Sequence, residues 1–446
     1  MAMSEESTSE PVSRRSWVSL LAVLFVQTQN SFNDNFVKMI LIGLGLAVAQ
    51  GVVVFSVDVG EKIQYIMAIL IPIPFILGAP IAGWISDRFS KKNVIVASLV
   101  LQLAIFILIY LSIVQRNVVV AIFGYFLLAV QSTVFSPAKQ GILKEIVGSQ
   151  KLGFANGLSQ MLAMVGILLG AWLGGKWFDQ LLAGNNRDLG VSLDNAWLAA
   201  GLPTLIIGAG CLLPLALTTL IQKTPSYSVK KLTSSIFVEH FVHLKMMFNK
   251  PGLRIVALRI ALYWFVANMF GVVMISFGKE LFPDAEKGGA AGATSMMMGC
   301  IGIGLILGSV VVSVLSRKRN QLKLIPLGAI GMTLGFLGIA LFDPTELPFK
   351  VSIAVVGFFA GFFLIPLSAL LQDLAEEDER GRIISASNLL NSATGVIAIL
   401  LCNGLDTAGF PAANQIIVAL VVIGIVALWT LSYWSKSGST GPISSV

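Results

Sequence analysis

Apolar residues run along this chain in long blocks, without the alternation of a strand or the one-sided stripe of a surface helix. Twelve such blocks can be marked, at 17–44, 62–84, 93–113, 117–137, 153–175, 196–221, 252–277, 293–315, 322–342, 350–373, 382–404 and 412–434. Each is long enough to cross a ~30 Å hydrocarbon core as a helix. A polar stretch at 223–250 divides them into six and six. The pattern predicts an all-α integral membrane protein with twelve transmembrane helices in two six-helix bundles, 16–222 and 251–435. A cytoplasmic linker, 223–250, would join them, with disordered tails at 1–15 and 436–446. In the linker, Leu232, Ile236, Phe237, Phe241, Leu244 and Phe248 recur near helical period among Lys230, Lys231 and Lys245. That predicts an amphipathic helix on the cytoplasmic membrane surface.

Composition agrees: 56% of the residues are apolar and 12% charged, against about 25% charged in soluble domains. The net charge of +7 is informative through its placement. With both ends on one side, 21 of the 30 Lys and Arg fall in one set of loops and seven in the other, leaving Lys38 and Arg259 inside spans. The positive-inside rule puts both termini in the cytoplasm, and the basic excess needs no nucleic-acid partner. The first apolar run carries Asp34 and no small-residue cleavage site, so it reads as an uncleaved span. Cys211, Cys300 and Cys402 lie in apolar runs and imply no disulfide framework. His240 and His243 have no carboxylate or cysteine cluster beside them, so neither a metal nor a cofactor is expected.

Against this background one stretch stands out, Asn30-Ser31-Phe32-Asn33-Asp34-Asn35-Phe36-Val37-Lys38. A charge at bilayer depth costs about 2.5–3.5 kcal/mol on insertion scales, and such residues are functional-site hypotheses by default. Gln27, Asn30, Asp34 and Lys38 share a helix face, with Asn35 beside it. Two readings stand: Asp34 and Lys38 neutralise each other, or the face lines a cavity that holds a substrate headgroup or a coupling ion. Further polar groups fall at Gln131 in span 4, at Lys139 just after it, at Asn268 in span 7, and at Asn388 and Asn391 on one face of span 11. The amides could glue helices together or line the pathway.

Span 2 ends in Gly83-Trp84-Ile85-Ser86-Asp87-Arg88-Phe89-Ser90-Lys91-Lys92, which resembles the Gly-x-x-x-Asp-Arg-x-x-Lys/Arg signature of the major facilitator superfamily. Gly83 allows close helix approach, Asp87 can meet a helix N-terminus of the other half, and Arg88 can meet a carboxylate. These contacts would latch one face shut. Pro137 should kink or end span 4; Pro366 in span 10 echoes it 229 residues later, part of a weak repeat expected of two pseudo-symmetric halves with a site between them.

Ser136-Pro137-Ala138-Lys139-Gln140-Gly141-Ile142-Leu143, with Ala155-Asn156-Gly157-Leu158 following, resembles the bacterial lysophospholipid transporter family. Gln27, Phe32, Asp34 and Asn35, and the run from Gly361 to Gln372, agree. The resemblance implies an alternating-access carrier that flips lysophospholipids across the bacterial inner membrane for reacylation, with an acyltransferase as a possible partner. In span 7 the family's pattern has an arginine where this chain reads Trp264-Phe265-Val266-Ala267-Asn268, and Lys38 is not part of that pattern. A shift of the positive group facing Asp34 from span 7 to span 1 would account for both departures. The alternative is a carrier of a small polar metabolite or drug coupled to H⁺ or Na⁺. An acyltransferase is rejected, because neither His240 nor His243 has an Asp five positions on. No ATP-binding signature is present, which excludes direct ATP hydrolysis as the drive.

Overall fold

The first helix, α1 (Arg14–Val48), starts where Ser13 caps it by accepting a hydrogen bond from the Ser16 amide at 3.1 Å. Its 35 residues extend about 52 Å, more than a bilayer core requires. The coordinates are a computed structural model that describes residues 13–49, 52–54, 57–59, 63, 66–67, 70–184, 193–225, 236–281, 289–317 and 320–436. Most of both predicted tails, the linker residues 226–235 and the basic pair 318–319 lie outside the described residues.

After α1, Val53–Val54 and Val57–Asp58 pair as a short antiparallel hairpin. The helices that follow are α2 (Pro72–Arg88), α3 (Lys91–Val114), α4 (Val118–Gly184), α5 (Leu193–Gly210) and α6 (Leu212–Leu217). Then come α7 (Ile236–Asn249), α8 (Pro251–Leu281), α9 (Gly289–Leu315), α10 (Leu324–Leu341), α11 (Leu347–Leu374), α12 (Arg380–Thr407) and α13 (Ala412–Lys436). Among the described residues ten helices are long and apolar enough to cross a membrane. One of them, α4, is long enough for two crossings, and the 17-residue α2 supplies another, which fits the twelve expected spans.

Pro137 does not end span 4. The helix runs through it and breaks at Gly148, whose φ of 69° and ψ of 173° are open in practice only to glycine. Span 6 is conversely interrupted: α5 stops at Gly210, and α6 with a 3₁₀ turn at Thr218–Leu220 completes the crossing. The amphipathic helix of the linker exists as α7, but it packs on α2, α8 and α12. Met247 is fully buried, Leu244 and Phe248 pack on the core of the second half, and Phe241 is 73% exposed. Those three helices offer α7 a protein surface, so only part of its apolar side faces outward.

The two halves have separate cores. One large buried apolar cluster is drawn from residues 247–427, and two others come almost wholly from residues 20–221. Within the first half, α1 lies backbone to backbone on the second part of α4. A Cβ on Gly166, Gly170 or Gly174 would come within 2.4, 2.3 or 2.6 Å of the carbonyl oxygens of Thr28, Phe32 and Phe36. That contact fixes the rotation of α1 and hence the direction in which its polar face points. The halves meet where α2 packs on α12 and where α4 packs on α9, α11 and α12.

Candidate functional site: a buried carboxylate and a latched end

Asp34 lies in the interior of α1, about 30 Å along the helix from Arg14 and about 20 Å from Val48. Several polar neighbours satisfy themselves locally: Thr28 donates to the Leu24 carbonyl at 2.7 Å and Asn35 to the Ser31 carbonyl at 2.8 Å. Asp34 is treated differently. Its Oδ2 accepts from Ser132 Oγ at 2.9 Å and from Asn30 Nδ2 at 3.0 Å. Its Oδ1 is buried and has no hydrogen-bond partner among the described residues. Asn30 Oδ1 in turn accepts from Gln102 Nε2 at 3.1 Å and Gln131 Nε2 at 3.4 Å.

Lys139 of α4 is near enough for its charge to be felt at this carboxylate without an ion pair within 4 Å among the described residues; its ammonium lies 5.4 Å above the Phe135 ring. Ser132, Ser136 and Lys139 fall four and seven residues apart, on one stripe of α4. Midway along that stripe Ser136 Oγ accepts from Asn388 Nδ2 of α12 at 3.0 Å, so the stripe also touches the second half.

At the end of the molecule where α1 begins, the halves are bound by charge. Asp87 closes the N-terminus of α12: its carboxylate accepts from the amides of Gly381 at 2.6 Å and Arg382 at 3.1 Å, and from Arg382 Nε at 3.1 Å. A carboxylate there satisfies orphan amides and complements the positive end of the helix dipole. Lys144 closes the C-terminus of α11 in the opposite sense. Its ammonium donates to the carbonyls of Gln372 at 3.3 Å and Asp373 at 2.9 Å, and pairs with the Asp373 carboxylate at 2.9 Å. Between them Glu145 pairs with Lys91 at 2.5 Å and lies 3.7 Å from Arg380 of the other half. Gly83 makes this approach possible, since a Cβ there would lie 2.9 Å from the Cα of Arg382. Gln372 Nε2 donates to Asn156 Oδ1 at 3.3 Å, and Ser313 Oγ to the Phe154 carbonyl at 3.0 Å, adding two more links across the halves.

The family model for the Major Facilitator Superfamily matches residues 20–399 and 292–440. The chain belongs to the major facilitator superfamily. It is therefore a transporter and not an enzyme. Among curated relatives, a lysophospholipid transporter (LplT) of Cronobacter sakazakii is 25% identical over 91% of this chain and 94% of its own length. Another lysophospholipid transporter, from Salmonella typhimurium, is 26% identical over 92% of this chain and 94% of its own. Among solved structures, the E. coli fucose:proton symporter FucP superposes with a TM-score of 0.72 at 17% identity, covering 93% of this chain and 99% of that one. An outward-facing bacterial homologue of the iron transporter ferroportin gives 0.67 at 16% identity, covering 95% of this chain and all of that one. These structural neighbours share the superfamily fold.

Within that fold the residues singled out in the sequence separate into groups. Asn30, Asp34, Gln131 and Lys139 come together. Gln27 points elsewhere, exchanging hydrogen bonds with Ser159 and its carbonyl on the second part of α4 at 2.8 and 3.3 Å. Asn35 bonds its own helix. Lys38 makes no ion pair within 4 Å among the described residues, which leaves the reading in which Asp34 and Lys38 neutralise each other without a contact: Ser132 donates to the carboxylate from α4 and Asn30 from its own helix, and Lys139 of α4 is the cation whose charge is felt there. Asn268 donates to the Trp264 carbonyl of its own helix at 2.8 Å and packs on Gly395. Asn391 keeps a buried Oδ1 without a hydrogen-bond partner among the described residues. Asp87 and Gly83 meet α12, whereas Arg88 lies half-buried at the end of α2. Pro137 and Pro366 are interior to α4 and α11. Ser132, Gln102, Lys144 and Glu145 were not singled out as site residues. Lys144 and Glu145 carry the signal of adjacent opposite charges at a span end; for Gln102 and Ser132 nothing in the spacing marks them.

Proposed function

We propose that this protein is an alternating-access carrier of lysophospholipids in the bacterial inner membrane, with both termini cytoplasmic. The observation that carries the reading is the Asp34 centre. A carboxylate with one buried, unpartnered oxygen and an ammonium close enough to feel its charge, both half-buried, lie in the first half on elements that reach the second. A lysolipid headgroup carries a phosphate for Lys139 and, in the ethanolamine class, an amine for Asp34. The curated relatives named as lysophospholipid transporters, matched over most of both chains, support the same substrate class. In this reading the latched end is the cytoplasmic one, and the described conformation opens outward. Asp34 then also serves as the place where a coupling ion, H⁺ or Na⁺, would bind.

The test is reconstitution. Purified protein in liposomes is expected to move labelled lysophosphatidylethanolamine or lysophosphatidylglycerol across the bilayer. Asp34→Ala should insert and fold normally yet lose transport by at least tenfold. Normal flipping by that variant would remove the headgroup site from Asp34. Uptake of soluble sugars or drugs without lysolipid movement would favour the second reading, an ion-coupled carrier of a small polar solute.

A further inference from the structure

Gln102 sits in the middle of α3 and is fully buried. Its Nε2 donates to Asn30 Oδ1 at 3.1 Å, and its Oε1 has no hydrogen-bond partner among the described residues. An amide buried in an apolar helix is thus held there by one hydrogen bond, made to a residue that itself touches Asp34. The direction of the chain of donors follows from the carboxylate. Ionised Asp34 only accepts, so Asn30 must turn its Nδ2 toward Oδ2. That leaves Asn30 Oδ1 pointing away, where it needs donors of its own. Gln102 supplies one and Gln131 the other, at 3.4 Å. With both in place, the reversed orientation of Asn30 would set its oxygen against the carboxylate and its amino group against two donors.

We infer that Gln102 is a positioning residue for the substrate site: it fixes the Asn30 amide so that Asp34 is held from its Oδ2 side and presents Oδ1. This rests on the reading that Asp34 receives the headgroup. Gln102 needs no contact with substrate, since it acts through Asn30. Charge-assisted hydrogen bonds in buried networks are strong and cooperative, so loss of the orienting donor should be felt at the carboxylate.

The experiment uses the full chain in proteoliposomes with labelled lysophosphatidylethanolamine as the probe. Gln102→Leu is expected to raise KM about tenfold, with the maximal rate changed much less and thermal stability close to wild type. Asn30→Ala should raise KM similarly, and the double variant should be no worse than Asn30→Ala alone, because both changes cut the same chain. If Gln102→Leu folds poorly, Gln102→Glu serves instead: it keeps the shape but replaces the donor by an oxygen, and it should lose affinity at least as strongly. Wild-type KM in Gln102→Glu, or effects of Gln102→Leu and Asn30→Ala that simply multiply, would overturn the inference. An Asp34→Asn control separates the two readings. If that variant loses transport while Gln102 variants behave as wild type, only the positioning role fails; if it transports normally, the site at Asp34 fails first and this role with it.

Discussion

Gly83 has a hydrogen where any other residue would place a carbon 2.9 Å from the Cα of Arg382 and 3.0 Å from the Cβ of Ser385. The first of these is backbone, so relief requires α2 and α12 to separate. Gly83→Ala is therefore expected to loosen the latched end without touching Asp34. A cysteine placed near Gly381 should react with a water-soluble thiol reagent several-fold faster in that background; unchanged reactivity would mean the helices accommodate the methyl. At this scale legibility followed charge and glycine. Asp34, Asp87 and Gly83 were readable because a charge or a missing side chain in an apolar helix needs a reason. Gln102 and Ser132 were not, since a neutral polar residue in a span is equally at home as helix glue. Lys38 and Lys139 were both in view as cations for Asp34, and the sequence could not choose between them. Spacing of four residues places Lys38 near Asp34 on a helical net, but which way the carboxylate turns is decided by Asn30 on α1 and Ser132 on α4.

Among the elements, α7 and the turn before α12 show how the linker is tied down. Lys250, at the end of α7, donates to Glu376 at 2.6 Å and also pairs with Glu379. Burial alone would push the Lys250 ammonium down; hydrogen bonds to Glu376 and Glu379, with their charges, outweigh it and hold it above its ordinary 10.5. The hydrogen bond from Lys250, and then its charge, hold Glu376 below its ordinary 4.5. A depressed acid contributes stability that is complete above 4.5 and lost as pH falls through its folded value. A raised base contributes stability that is complete below 10.5 and lost as pH rises through its folded value. The clip should thus act fully between about pH 4.5 and 10.5. Lys250→Ala is expected to lower the melting temperature slightly at pH 7 and by less at pH 3, with the effect reduced by salt. An equal loss at both pH values would show that packing, not charge, is responsible. In the sequence the acidic run 376–379 reads either as a solvated loop or as a group facing Arg88 or the linker; Lys250, 126 residues away at the end of the linker, decides for the last of these. The break in span 6 and the passage of α4 through Pro137 were likewise hidden, because hydropathy marks where a helix lies in the membrane and not where its axis bends.

For the molecule as a whole, the crossings and the two halves could be read from the blocks of apolar residues, and Asp87 with Gly83 marked one contact between the halves, but the rest of that interface could not be read. It is built from residues at 83–91, 144–156 and 372–382 with Ser313, whose pairing depends on how the bundles face each other. Asp87 and Lys144 hold the two helix ends that flank the turn 375–379, one by its amides and the other by its carbonyls. Removing one partner of a buried, hydrogen-bonded charge typically costs about 3–5 kcal/mol. Asp87→Ala should therefore shift the population toward the state in which this end is open, and Lys144→Ala should shift it the same way. Double electron–electron resonance between labels on α2 and α12 would report the longer distance. A distribution unchanged from wild type in both variants would mean that apolar packing alone closes the end.

Asp87, Lys91, Lys144 and Glu145 are all contributed by the first half, and their charges sum to zero. When the halves part, this set moves as a neutral body through whatever electrical potential the membrane carries. Voltage does about 2.3 kcal/mol of work per elementary charge per 100 mV, and on this group it does none. The residues that answer them on the second half, Asp373, Arg380 and Arg382, sum to +1, so a membrane potential can act on the latch through that half alone, and otherwise only through the occupant of the Asp34 centre.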